Sequence, residues 1–351
     1  MKLQSKGVGG KLLNWIAAWL KGRKQRVRVG KELSEESDVD LGIPQGTVLG
    51  PPLFIIYIDD LEGAVAELDL IFKFADDTKG LQEIKCQADQ HRLQETLNRL
   101  TVWAEKWAME FNVKKCKIIH VGNSNPGYKY TINGEELQEA EEEKDIGVVV
   151  HKTLKPSKQC QKASATAGAV LRQITRNFHY RDKITFKNLY CQYVRPHLEF
   201  STAAWSPWTV TDIETLEKVQ KKAVNMIVGL KGKTYAEKCI ELNLDQLTVR
   251  RQMADLIQAY KYIHGKDQKV AEELFERVTT GGIQTRQNQD PLNLKLQRSR
   301  LDIRKYSFSS RVIQNWNALS QDIKNRPTVH QFKQAIKNMY RRRVEGVDAE
   351  Q

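Results

Sequence analysis

Asp76 and Asp77 stand side by side in the segment Phe74-Ala75-Asp76-Asp77-Thr78. Neighbouring carboxylates are hard oxygen donors, and magnesium, which prefers oxygen and keeps several waters, needs only a few of them. Two such ions held about 4 Å apart can stabilise both the attacking and the leaving oxygen of a phosphoryl displacement. Taken alone, an Asp-Asp pair is an ordinary solvated turn, because aspartate is a favoured turn residue. A second candidate is the loop Gly42-Ile43-Pro44-Gln45-Gly46. Its glycines let backbone approach a ligand closely, and a glutamine amide can both donate and accept. The plain alternative is a loop that caps the helix after it.

These residues need elements to hold them. Leu70-Ile71-Phe72-Lys73-Phe74 reads as a strand, Ala75 to Thr78 as a turn and Lys79 to Ile84 as a return strand, a hairpin with two acids at its tip. Upstream, residues 9–21 are predicted helical, Gln25 to Val29 extended, and Leu53 to Leu68 helical. Downstream, a long helix spans about Gln87 to Phe111, with Leu93, Leu97, Leu100, Trp103 and Trp107 at helical spacing. Those aromatics read as core. Strands are expected at Cys116 to Val121, Tyr128 to Ile132 and Ile146 to Val150, the last two separated by a Glu-rich stretch. Beyond Lys155 the pattern is helical, with a stripe at Ile213, Leu216, Val219, Ala223 and Ile227 and a further helix over Leu247 to Ile263. Polar residues 281–297 read as a linker to a basic module.

The composition narrows the partners. The 351 residues include 56 Lys and Arg against 43 Asp and Glu, a net charge of +13, which favours a polyanion such as nucleic acid. Cys86, Cys116, Cys160, Cys191 and Cys239 are dispersed, so neither a zinc cluster nor a disulfide framework is indicated; reduced thiols and an intracellular setting, nuclear or cytoplasmic, are expected. The run Leu12 to Leu20 is broken by Asn14 and followed by a basic turn instead of a cleavage site, so it reads as an amphipathic helix and not a secretory signal. Val48 to Ile58 is too short to span a bilayer. No membrane association is expected, and the sequence leaves the oligomeric state open.

The order of the segments is more specific than any one of them. Pro44-Gln45-Gly46 precedes Phe74-Ala75-Asp76-Asp77. Then come Trp103-Ala104-Glu105-Lys106-Trp107, Lys115-Cys116-Lys117 and Lys144-Asp145-Ile146-Gly147-Val148. This series resembles the reverse transcriptase of non-LTR (LINE-type, jockey-like) retrotransposons, and the likeness extends to Trp205-Ser206-Pro207 and Arg304-Lys305-Tyr306-Ser307-Phe308. The resemblance implies an α+β fold: a partial polymerase palm over 1–154, a helical thumb or connection over 155–280, the linker at 281–297 and a basic helical module over 298–351. It implies RNA template and DNA primer as partners, with two Mg2+ ions in an intact family site. Asp76 would contact both metals with Asp77 assisting. Pro44, Gln45 and Gly46 would lie against nucleotide and template, Lys115 near the leaving pyrophosphate, and Ile146 and Gly147 on the primer grip. For Lys115 the alternative is a surface lysine; for Ile146-Gly147 it is a core strand.

The family's third catalytic Asp lies on a strand ahead of the Pro-Gln-Gly loop and has no counterpart here. Asp38 and Asp40 fall in the approach to the loop, and Asp59 and Asp60 lie beyond it. The expectation is therefore a truncated RNA-directed DNA polymerase whose activity alone is doubtful, the alternative being a catalytically dead remnant that binds nucleic acid. Thr47 stands where serine is common, and Pro52 after Gly50-Pro51 is tolerable only in a helix's first turn.

Overall fold

The computed structural model describes residues 2–122, 124–265, 268–278 and 290–344. The chain divides into two compact units, one through Glu141 and one from Glu142.

In the first unit, two helices, α1 (Lys2–Ser5) and α2 (Gly10–Leu20), lead into short strands β1 (Arg23–Gln25), β2 (Arg28–Val29), β3 (Glu32–Leu33) and β4 (Ser37–Val39). The predicted strand 25–29 is thus split: β1 pairs with β4 and β2 with β3. Between them the amide of Val27 donates to the Ser34 hydroxyl, which interrupts the ladder. The predicted helix 53–68 is likewise two helices, α3 (Gly50–Tyr57) and α4 (Leu61–Ala64). Both prolines of α3 lie in its first turn, where a missing N–H leaves no bond unmade. The break falls at Asp59 and Asp60, which form ion pairs with Lys6 and Lys2.

Strands β5 (Leu70–Phe74) and β6 (Asp77–Leu81) form the expected hairpin, followed by α5 (Gln87–Lys106). The long helix ends earlier than its periodicity suggests. Ala108 turns left-handed at φ 50°, so its amide meets the Glu105 carbonyl and that of Met109 meets Ala104. That is the Schellman stop, usually built on glycine and here on alanine. Leu100, Trp103 and Ala104 of α5 bury against Ile58, Leu61 and Val65, so Trp103 is core as expected, while Trp107 packs half-buried at the cluster's edge. Then come β7 (Lys117–Ile118), β8 (Thr131–Ile132), β9 (Glu135–Glu136) and β10 (Gln138–Glu139). Gln94 of α5 holds β8 by accepting from the Thr131 amide and donating to its carbonyl, both at 2.9 Å.

The second unit opens with the hairpin of β11 (Glu142–Asp145) and β12 (Val148–His151). The predicted strand 146–150 is corrected: Ile146 and Gly147 form its turn. Helices follow: α6 (Ser157–Asn177), α7 (Lys183–Leu189) continuing through a π-helical turn into α8 (Arg195–Glu199), α9 (Thr202–Trp205), α10 (Val210–Asn225), α11 (Tyr235–Glu241) and α12 (Leu247–His264). On α6, Cys160, Ala163, Ala167, Leu171 and Ile174 recur every three or four residues and pack on Leu216, Val219 and Ala223 of α10. The remaining helices are α13 (Gln268–Leu274), α14 (Asp302–Lys305), α15 (Phe308–Asn317), α16 (Gln321–Lys324) and α17 (Val329–Val344).

Mixed helix and strand is therefore the class. Among the described residues strands pair only in twos, antiparallel except β10 with β7, so a broad palm sheet is not among these pairings. No described helix is long and apolar enough to cross a membrane. Of the stretch read as a linker, 281–289 lie outside the described residues. Asp290, Asn293 and Leu294 are pinned to the helices: Leu294 is buried beside Trp316, and the wholly buried Lys324 ammonium donates to Asp290 Oδ2 and Asn293 Oδ1, each at 2.6 Å.

Replacing Lys324 by Met leaves two buried acceptors without their donor, a change that in buried pairs costs about 3–5 kcal/mol. Urea unfolding of the full chain is expected to show the loss, and Lys324→Met combined with Asp290→Leu to recover part of it. An unchanged midpoint for the single variant contradicts this role for the buried lysine.

Candidate functional site

Asp76 and Asp77 are set by a two-residue reversal. Phe74 pairs with Asp77 across the hairpin, leaving Ala75 and Asp76 as the turn. A two-residue hairpin loop needs φ above zero at its first central position, and Ala75 supplies it at φ 53°. Glycine takes that conformation freely, whereas an L side chain is disfavoured there by roughly 1–2 kcal/mol. Both carboxylates are exposed. They are oxygen donors on neighbouring residues facing water, which fits one edge of a magnesium shell completed by solvent. No group of three or more His, Cys, Asp or Glu that could hold an ion gathers among the described residues.

Which way the hairpin faces is the less expected feature. Leu70, Phe72 and Phe74 share one side with Leu81, Lys79 and Asp77, and these three apolar side chains are 50–61% exposed. Ile71 and Lys73 take the opposite side, Ile71 against the Leu61 cluster and Lys73 on Glu62 at 2.9 Å. Lys79 covers the Phe72 ring, its nitrogen 5.2 Å from the centroid. The acids thus rise from a ribbon whose outward face is aromatic.

The Pro44-Gln45-Gly46 loop is built to turn. The Thr47 hydroxyl donates to the Pro44 carbonyl at 2.8 Å and accepts from the Gly50 amide at 3.1 Å, tying the loop to the start of α3. Arg23 donates to the Gly42 carbonyl at 2.7 Å and fixes the other end. A Cβ on Gly50 would stand 2.9 Å from the Pro44 carbonyl oxygen, so only glycine fits beneath the loop. With both ends held, Gln45 and Gly46 are left exposed, Gly46 at φ 73°. Thr47 thus ties the loop to α3 as the plain alternative expects, and the Gln45 side chain stays exposed.

Lys115 is an exposed turn residue whose amide donates to the Asn112 carbonyl at 2.9 Å. A cleft of about 440 Å³ lies near it, lined among others by Met109, Phe111, Asn112 and Lys114, but Lys115 itself does not line it. In the second unit, Ile146 (φ 43°) and Gly147 (φ 88°) form the turn between β11 and β12. A turn with two positive φ values favours Asn-Gly, and a β-branched residue in its first place is strained. Ile146 nevertheless stands 55% exposed, while a Cβ on Gly147 would press to 3.0 Å of the Phe200 ring. Buried Gln159 anchors β12 by accepting from the Val149 amide at 2.9 Å. Ile146 and Gly147 are thus neither a core strand nor part of the first unit.

Sequence reasoning missed the interaction that joins two of its own segments. Arg311 clasps Asp255 with two bonds of 2.8 Å and donates to the Ala203 and Tyr306 carbonyls. Trp208, just after Trp205-Ser206-Pro207, stacks on Tyr306 at 5.6 Å. Burial pushes the Asp255 carboxyl up, with Arg311 offsetting only part of it. A charged pair separated by more than fifty residues has no local signature.

Two adjacent exposed acids on a short reversal and a glycine loop fixed at both ends thus lie in the first unit. Residues 2–163 match the model of the family described as reverse transcriptase (RNA-dependent DNA polymerase). That segment is similar to reverse transcriptases, and the chain resembles the polymerases of LINE-type non-LTR retrotransposons. It is 28% identical over 231 residues to an RNA-directed DNA polymerase from mobile element jockey of Drosophila funebris, covering 62% of this chain and 25% of that protein. It is 25% identical over 225 residues to a probable RNA-directed DNA polymerase from transposon X-element of Drosophila melanogaster, covering 61% and 24%. The chain thus spans about a quarter of these relatives' length. No solved structure matches.

Exchanging Ile146 for Asn gives its turn the residue that tolerates positive φ. Ile146→Asn is expected to stabilise the second unit by about 1 kcal/mol in urea unfolding, and Ile146→Val to leave the strain in place. Equal midpoints for the Asn and Val variants would sink the assignment of strain.

Proposed function

We propose that residues 2–163 supply the nucleotidyl-transfer part of an RNA-directed DNA polymerase that copies an RNA template from a DNA primer. The observation that carries it is the exposed Asp76-Asp77 pair on a two-residue reversal, in one unit with a loop whose ends are fixed and whose Gln45 and Gly46 are exposed. Asp76 and Asp77 would hold Mg2+, which when bound would neutralise charge on the transferring phosphate and its leaving group.

The chain's own residues take defined parts. Gln45 offers an amide to a base or sugar, and Gly46 lets backbone lie against it. Lys115 is the candidate cation for a departing pyrophosphate. Ile146 and Gly147, on a strained and exposed turn, are the candidate primer contact, where strain held by surrounding structure is a common mark of a working residue. We assign a partial palm to residues 1–154 and the thumb or connection to 155–280.

A second reading, nucleic-acid binding without catalysis, is favoured by one further observation. Lys158, Lys162, Arg172 and Arg176 all stand exposed along α6, a basic stripe on the longest helix of the second unit. Such a stripe binds phosphates irrespective of sequence.

One set of measurements separates the two. The 351-residue chain is expected to bind primer–template duplex at low salt, with log affinity falling linearly as log salt rises, by about 0.9 per phosphate neutralised. Magnesium-dependent primer extension is expected to be weak, because only two adjacent acids serve where the resemblance implies three. Asp76→Ala should lower any extension about 10²-fold or more and leave duplex binding unchanged. Extension indifferent to Asp76→Ala removes the catalytic assignment, and a salt-independent affinity removes the electrostatic one.

A further inference from the structure

The first unit contains a second constructed arrangement, around the ammonium of Lys2. Its nitrogen lies 3.3 Å from the centroid of the Trp107 ring, 5.1 Å from that of Tyr57 and 5.7 Å from that of Trp103. It donates to Asp60 Oδ1 at 2.7 Å and to the Tyr57 carbonyl. An aromatic face attracts a cation held within about 6 Å, tryptophan most strongly. Three rings, a carboxylate and a carbonyl thus converge on one charge.

The walls are braced by one another. Trp103 Nε1 donates to Asp60 Oδ1 at 3.0 Å, and the Tyr57 hydroxyl donates to the Trp107 carbonyl. The Tyr57 and Trp107 rings meet edge to face with centroids 5.6 Å apart. Trp103 is buried in the Leu61 cluster, which fixes the floor. The occupant is held differently. It arrives on α1, a single turn of helix that buries no residue and is otherwise tethered by the surface pair Lys6–Asp59. The cage belongs to α3, the turn after it, α5 and Trp107 at the end of α5, and the cation comes from a one-turn helix without a buried residue.

We propose that Tyr57, Asp60, Trp103 and Trp107 form a binding site for an alkylammonium, in which Lys2 is a tethered resident ligand and which takes the lysine side chain of another polypeptide when Lys2 withdraws. Asp60 and the Tyr57 carbonyl each need an N–H, so the site selects a primary or partly methylated ammonium over a quaternary one. A tethered occupant competes at an effective concentration on the order of millimolar, so a free amine binds the native chain weakly and a chain without Lys2 better. The inference is independent of the polymerase reading, since neither Asp76 nor the Gln45 loop takes part.

The test titrates the full chain with n-butylammonium chloride at constant ionic strength and follows tryptophan fluorescence. Lys2→Ala is expected to give a saturable change with an apparent Kd at least about tenfold below that of the native chain. Lys2→Ala with Asp60→Asn should bind severalfold more weakly, and tetramethylammonium more weakly than butylammonium. No saturation in Lys2→Ala, equal affinity in native and Lys2→Ala chains, or preference for tetramethylammonium overturns the proposal. A measurement on the native chain guards against misfolded variants: with ¹³C-labelled lysine, the Lys2 Cε–H resonance, identified by its absence from Lys2→Arg, is expected shifted upfield by the rings. A Lys2 resonance among those of exposed lysines overturns it as well.

Discussion

Two carboxylates at the tip of a ribbon keep a fixed position only if the strand behind them is held from its other side. Here that hold is the packing of α5 on α3 and α4. Leu100, Trp103 and Ala104 bury against Ile58, Leu61 and Val65, and Ile71 of β5 adds to the same cluster. Each large side chain so buried contributes about 1.5–3 kcal/mol. A two-stranded ribbon is marginal by itself, so without this contact the tip carrying Asp76 and Asp77 would have no fixed position. Lys73, on the inward side, makes its ion pair with Glu62 at the rim of the cluster. The acids are free to project because the inward positions carry the anchoring.

Turns chosen against local preference recur at the proposed working positions. Ala75 and Ile146 both sit at positive φ where glycine or asparagine would be comfortable. In each case the flanking ladder over-determines the turn, through four or five paired residues on either side. The strain is thus carried by pairing and by packing behind the strands, and each tip holds one conformation. Donors on such fixed edges keep one geometry toward whatever they bind.

Charge inside the second unit follows a different rule from charge on its surface. Arg311 with Asp255, and Lys324 with Asp290 and Asn293, are buried and geometrically saturated. Burial penalises both partners, so such pairs do less for net stability than for uniqueness, each accepting only one arrangement. Arg311 decides where residues 203, 255 and 306 meet, and Lys324 where 290 and 293 meet. On α6 the charges lie at the surface instead, Lys158 in an ion pair with Glu142 at 3.6 Å.

The order of segments and the local patterns were readable from the chain by itself. The apolar run 70–74 before the Asp-Asp turn announced the hairpin, the spacing of Leu93 to Trp107 announced a helix with a buried face, and the sequence of short segments announced the resemblance. These are local signals, carried by residues within a few positions of one another. What only the tertiary structure decided depends on distant partners or on backbone angles without a residue signature. The Schellman stop at Ala108 lacks its usual glycine, and the turn at Ile146-Gly147 begins with a residue that favours strands. The ribbon's aromatic face points outward because Ile71 found the core first, and Lys2 found its cage more than fifty residues away in sequence. Pattern fixes which elements form; which side each one buries is settled when the elements compete for the same interior.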